Sequence, residues 1–140
     1  MKQVEIKGVL FDMGGVLVSS LGYTAFADGF VKSLSKKLQK KYGIPFPSFE
    51  KDLKKLIDAW IREERVGRSG KPRHFNSLVG EYYRLHTKPQ KGTLSLVKKL
   101  KKKYKLGVLS NTLRVCALVN KNRGVFKDFD VLILSCDAHC

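Results

Sequence analysis

The chain has 140 residues, 43% of them hydrophobic, enough for one buried core and a small satellite lobe but not two large domains. Lys7 and Asp12 interrupt the only apolar run near the N-terminus, so nothing approaches the roughly 20 residues a membrane helix needs. The order of a secretory signal is absent as well, and a cytoplasmic protein without membrane contact is expected. The balance of 28 Lys+Arg against 12 Asp+Glu gives a formal charge of +16, which attracts polyanions. However, runs such as Lys36-Lys37, Lys40-Lys41, Lys54-Lys55 and Lys101-Lys102-Lys103 occupy polar positions of helical patterns. That is the mark of a solvated face, and it argues against nucleic acid as the partner. Cys116 lies in an apolar helical pattern and reads as a small buried side chain. Cys136 and Cys140 flank a histidine, but no second cluster exists to complete a zinc site.

Residues 5–11 read as a strand ending in Val9-Leu10-Phe11, too continuous for a half-exposed edge and matching a buried parallel strand. Gly14 and Gly15 break it. From Tyr23 to Tyr42 the apolar residues recur at helical spacing, and Gly43, Pro45 and Pro47 stop the pattern. Ser48 is an N-cap for a second helix carrying Phe49, Leu53, Leu56, Ile57, Trp60 and Ile61. The Gly67–Pro72 stretch is a basic turn, and a third helix carries Phe75, Leu78, Val79, Tyr82 and Leu85. Thr93 then caps a helix with Leu94, Val97, Leu100 and Tyr104 inside. Leu106–Leu109 is a compact strand, a helix with Val115, Leu118 and Val119 follows, and Val131–Leu134 is the last strand. Alternating helix and strand with short loops specify a parallel sheet. The expected fold is therefore α/β, with a Rossmann-like core from residues 1–15 and 92–140 and an inserted α-helical cap over 16–91. An insert of that length is too long for an ordinary crossover.

Asp12 stands where a parallel strand ends, at the crevice in which open α/β sheets bind ligands. Gly14 and Gly15 present backbone N–H groups without side chains in front of them, which suits an anion. A turn-forming aspartate is the competing reading, and local sequence leaves the two level. Ser110 closes the second strand at the same edge as Asp12, with Asn111 and Thr112 behind it. Its hydroxyl suits a phosphate oxygen, or it and Thr112 cap the next helix. Arg68, Lys71 and Arg73 on the turn between cap helices are in reach of a phosphorylated substrate, although exposed basic loops are more often only solvated. Trp60, Tyr82 and Tyr83 read as cap packing.

The stretch Phe11-Asp12-Met13-Gly14-Gly15-Val16-Leu17-Val18 resembles the first motif of the haloacid dehalogenase (HAD) superfamily. Leu106 to Thr112, which reads LGVLSNT, resembles its second. The helical insert resembles the cap that many members carry just after the first strand. The nearest subgroup holds epoxide-hydrolase N-terminal domains and small sugar-phosphate phosphatases. The resemblance implies a phosphatase for a small phosphorylated metabolite, with Asp12 attacking phosphorus to form an aspartyl-phosphate that water hydrolyses. It implies Mg²⁺ on the Asp12 carboxylate and the Gly14 carbonyl. Ser110, Asn111 and backbone groups of Met13, Gly14 and Gly15 would hold the phosphoryl oxygens. A 2-haloacid dehalogenase is the sister reading, since the same aspartate displaces halide from carbon without metal. A non-catalytic remnant or binding protein is the reading from a different class.

Two departures stand out. Many family phosphatases carry a general-acid aspartate two residues after the nucleophile, where this chain has Gly14. The family's third motif, a lysine, and its fourth, an acidic pair, lie beyond Cys140. The resemblance therefore implies a core incomplete on its C-terminal side, with a sheet edge open to an oligomeric partner or a complementing fragment.

Overall fold

A computed structural model describes residues 4–43, 54, 55, 57–59, 61, 62 and 73–137. Arg68 and Lys71 lie outside the described residues with the whole Gly67–Pro72 turn, and so does Trp60. So do Ser48 and the start of the second cap helix, of which the described residues between 54 and 62 are helical.

Three parallel strands, β1 (Gly8–Phe11), β2 (Lys105–Ser110) and β3 (Val131–Leu134), form one sheet in the order β1-β2-β3. Val9 faces Leu106 and Phe11 faces Val108 across the first ladder; Val108 faces Leu132 and Ser110 faces Leu134 across the second. Among the described residues, besides the helical ones between 54 and 62, four helices have defined bounds: α1 (Tyr23–Tyr42), α2 (Arg73–His86), α3 (Lys91–Lys101) and α4 (Arg114–Asn122). A short 3₁₀ turn, Ser135–Asp137, follows β3.

Side chains alternate across β2, so its two faces meet different surroundings. Leu106 and Val108 are fully buried with Val97 of α3, Ala117 of α4 and Leu134 of β3, and Val9 and Phe11 pack against that cluster. On the other face Leu10, Leu109, Val131 and Ile133 are each between 49% and 59% exposed. Gly107 lies between two of them. A Cβ there would stand 2.7 Å from Leu10 Cδ2 and 2.8 Å from Val131 Cγ1, so the glycine lets the flanking side chains close over the central strand.

The first strand is thus shorter and more exposed than its apolar run suggests. It begins at Gly8, not residue 5, and pairs on one side only. Periodicity reports that both faces are apolar; among the described residues only one of them is covered. The helix expected to start at Thr93 begins at Lys91, and its N-cap, Gln90, makes no side-chain capping bond. Tertiary anchoring replaces the cap, because the Gln90 N–H donates to the Leu17 carbonyl at 2.7 Å.

A second buried cluster joins Phe26, Phe30 and Val31 of α1, Ile57, Ile61, and Val79 and Tyr83 of α2 to Leu113, Val115 and Cys116 at the start of α4. Helix α4 therefore contributes to both clusters. The chain leaves the sheet and returns to it along one stem: Ser19 N donates to the Lys88 carbonyl and Lys88 N donates to Ser19 Oγ, both at 2.8 Å.

The two faces of β2 differ in a measurable way. Leu106→Ala, which empties a fully buried site, is expected to cost about 2–5 kcal/mol of stability, whereas Leu109→Ala on the open face should cost less than about 1 kcal/mol. Urea unfolding of the two variants checks this.

Candidate active site

Parallel strands deliver their C-terminal ends to one edge. Asp12 follows β1 and Ser110 ends β2, so both arrive at the same cleft, of about 240 Å³. Met13, Gly14, Asn111, Thr112, Tyr83, Cys116 and the stem residues Ser19 to Gly22 complete its lining. Of the expected site residues, Asp12, Met13, Gly14, Ser110 and Asn111 come together here. Gly15 does not line the cleft.

Asp12 is exposed, and its Oδ1 accepts the Met13 backbone N–H at 2.7 Å. Beyond it the chain winds around the Met13 carbonyl, which accepts from the N–H groups of Val16, Leu17 and Val18 at 3.3, 2.9 and 3.1 Å. Gly15 sits at φ 77°, where a side chain is strained, and its N–H donates to the Val18 carbonyl at 2.8 Å. That N–H is therefore engaged in the turn and is not the unencumbered anion donor that the glycine pair suggests. Gly14 is different: a Cβ there would meet nothing within 4 Å, so its backbone borders open space in the cleft.

Ser110 is buried at the end of β2. Neither it nor Thr112 caps the following helix, whose N-cap is Leu113 with no side-chain capping bond, and Thr112 Oγ1 donates to the Leu113 carbonyl at 3.3 Å. Three residues lie between Ser110 and Arg114, the first residue of α4, and the N-cap position is Leu113, not Ser110. Asn111 is held from β3's end, since Ser135 Oγ donates to its Oδ1 at 2.8 Å and accepts the Thr112 N–H at 3.0 Å. Ser135 is a supporting residue that sequence reasoning passed over, because its contact is 23 or 24 residues away along the chain.

Tyr82 packs as expected, edge-on to Phe26 and Phe30. Tyr83 does more than pack, for it lines the cleft and joins a buried polar network. Asn120 on α4 is fully buried; its Nδ2 donates to Tyr83 Oη and to Met13 Sδ, both at 3.0 Å. Asn120 Oδ1 accepts from Arg123 Nε at 2.9 Å and Nη2 at 2.6 Å. Arg123 also donates to the Thr87 carbonyl at 3.1 Å and to Thr87 Oγ1 at 2.9 Å, and lies 5.4 Å from the Tyr83 ring centre. Burial raises the Tyr83 phenol above its ordinary pKa, against the opposing pull of the Asn120 hydrogen bond. Partial burial lowers Arg123, which stays cationic at neutral pH. No sequence pattern marks these residues as neighbours.

An aspartate and a serine thus stand at adjacent strand ends of an α/β sheet, in the crevice where such sheets bind ligands, beside a stem that leads into helices. A family model for haloacid dehalogenase-like hydrolases matches residues 6–139, and the chain belongs to that family. No curated protein matches it in sequence. Among solved structures, a HAD family enzyme from Bacteroides thetaiotaomicron aligns with TM-score 0.65 at 20% identity, over 94% of this chain and 70% of that one. A mutant of that enzyme, in complex with magnesium and inorganic phosphate, aligns with TM-score 0.62 at 19% identity, over 95% and 70%. A HAD phosphatase from Thermococcus onnurineus aligns with TM-score 0.58 at 21% identity, over 96% and 65%. At these identities the likeness is one of fold.

The two glycines separate by conformation. Gly15→Ala is expected to lower stability by about 1–2 kcal/mol, the cost of a side chain in the left-handed region, while Gly14→Ala leaves stability within about 0.5 kcal/mol. Thermal unfolding of both variants provides the comparison.

Proposed function

We propose that this hydrolase is a Mg²⁺-dependent phosphatase acting on a small phosphorylated metabolite in the cytoplasm. The observation that carries the reading is the convergence of Asp12 and Ser110, from two different strands, on one cleft. The magnesium and phosphate complex of the Bacteroides enzyme supports it. In this reading residues 1–15 and 92–140 form the catalytic core and 16–91 the cap.

Asp12 is the nucleophile. A carboxylate oxygen forms a bond to phosphorus as the bond to the leaving oxygen breaks, and water then cleaves the aspartyl-phosphate to return the free carboxylate. Ser110 and Asn111, with backbone groups of Met13 and Gly14, orient the phosphoryl oxygens. Gly15 contributes through the turn that presents them.

The donors present fit Mg²⁺ by kind, since the Asp12 carboxylate and the Gly14 carbonyl are hard oxygens. Among the described residues no group of three or more His, Cys, Asp or Glu forms a fuller cage. Mg²⁺ commonly keeps several waters and shares substrate phosphates, so two protein oxygens are a thin but chemically suitable set. When bound, the ion supplies charge neutralisation at the phosphoryl oxygens.

With a panel of phosphate esters and Mg²⁺, Asp12→Asn is expected to lower turnover on the order of 10³-fold or more, and EDTA to abolish it. Release of halide from 2-haloacids in EDTA, without ester hydrolysis, would sink the phosphatase reading in favour of a dehalogenase.

We further propose that the open face of the sheet, and the edge of β1 that pairs with no strand among the described residues, receive a complementing polypeptide strand. A parallel sheet is normally covered on both faces, and here Leu10, Leu109, Val131 and Ile133 are half exposed on one of them. No helix among the described residues is long and apolar enough to cross a membrane. Leu10→Lys with Ile133→Lys should leave the far-UV spectrum unchanged and abolish self-association or fragment capture in sedimentation velocity. Unchanged association would remove the proposal.

A further inference from the structure

Met13 is held at three points. Its N–H donates to Asp12 Oδ1, its carbonyl collects the N–H groups of Val16, Leu17 and Val18, and its buried side chain accepts from Asn120 Nδ2 at 3.0 Å. The first two contacts are local to the turn; the third comes from α4, 107 positions along the chain. Chemistry fixes the direction of that amide. Arginine has only donors, so the Arg123 contacts at 2.9 and 2.6 Å fall on the Asn120 oxygen. The amide nitrogen therefore points the other way, giving one proton to Met13 Sδ and one to Tyr83 Oη. Arg123 is itself fastened to the Thr87 carbonyl and Oγ1, one residue before Lys88, which pairs with Ser19 in the stem. The Tyr83 hydroxyl belongs to this interior network, with Asn120, Thr87 and Arg123 as its side-chain partners.

We propose that Asn120 is a positioning residue for the nucleophile: by holding Met13 Sδ it sets the turn that presents Asp12 and Gly14 to the phosphoryl group. The inference rests on the phosphatase reading and deepens it. With the side chain fixed at Sδ, the Met13 backbone cannot rotate without breaking that contact or its bonds to Asp12 and the amides of residues 16–18. Asp12 is exposed, so packing around its own side chain does little to fix it, and its orientation is inherited from the turn. Arg123 and Thr87 carry the position of the stem to the same amide, so stem and nucleophile turn keep one register.

Two substitutions in the full chain remove the contact from opposite ends. Asn120→Asp keeps an oxygen for Arg123, and the Tyr83 hydroxyl can donate to it, but Met13 Sδ has no proton to offer. Met13→Leu keeps the volume and loses the acceptor. Each is read by amide hydrogen exchange at Leu17 and Val18, with the β2 amides as reference, and by the affinity for inorganic phosphate in Mg²⁺. Either substitution should speed exchange at Leu17 and Val18 about 3- to 10-fold relative to β2, the range for one neutral hydrogen bond, and weaken phosphate by a similar factor. The double variant should be no worse than the stronger single one, because both remove the same contact. Equal acceleration in β2 and the turn, with phosphate affinity retained, would mark Asn120 as a core amide only and overturn the inference. Additive losses in the double variant overturn it too, by separating Asn120 from Met13. A turn that loosens without loss of phosphate affinity removes the positioning role and leaves the phosphatase reading standing. If the unsubstituted chain with Mg²⁺ binds no phosphate, that reading falls and this inference with it.

Discussion

The carbonyl of Met13 is the point on which the site turns. Three successive N–H groups converge on it, closing the chain back after β1 and forcing Gly15 into the left-handed region. That tight winding leaves Asp12 exposed at the strand end and puts Leu17 and Val18 into the buried cluster behind it. It also sets the start of the stem, because Leu17 then accepts from Gln90 and Ser19 pairs with Lys88. The residues between can be numerous without disturbing the cleft, since their departure and return are clamped within a few ångströms of each other.

Helix α4 links this turn to the rest of the molecule. Ala117 faces the sheet cluster, while Val115 and Cys116 face the cluster built from α1 and α2. Between them Asn120 is buried without apolar company of its own kind, and it is tolerable there because each of its polar positions is matched. A half-satisfied amide at that depth would cost more than an apolar side chain. The network is therefore constrained to be complete, and completeness gives it a direction from Arg123 through Asn120 to Tyr83 and Met13.

Much of this was legible in the amino-acid sequence, for identifiable reasons. The strand–glycine break at Asp12 and the apolar run stopped by Ser110-Asn111-Thr112 are local signals, and parallel pairing does the rest by bringing both strand ends to one edge. The helical periodicities of Tyr23–Tyr42 and of the segment containing Val79 and Tyr82 match α1 and α2. What could not be read was long-range or environmental. Exposure of Leu10 depends on what covers a face, and apolar composition is blind to that. The start of α3 depends on a bond to Leu17, 73 positions earlier in a chain where the nearest capping residue is Thr93. Tyr82 and Tyr83 are adjacent and chemically identical, and only the helix's rotation against α4 decides that one packs on phenylalanines while the other meets Asn120.

A glycine at position 14 has an electrostatic consequence for the cleft that it lines with Asp12. A second carboxylate beside Asp12 must exist partly protonated to act as an acid, and two acidic groups facing a phosphate dianion repel unless enough cation is present to neutralise them. The oxygen set available here for a metal is small. The buried phenol of Tyr83, by contrast, adds no negative charge to the cleft wall at neutral pH, and Arg123 near its ring adds positive potential without lining the cleft. A phenol held protonated by burial therefore shapes the cleft without competing with Asp12 for a cation.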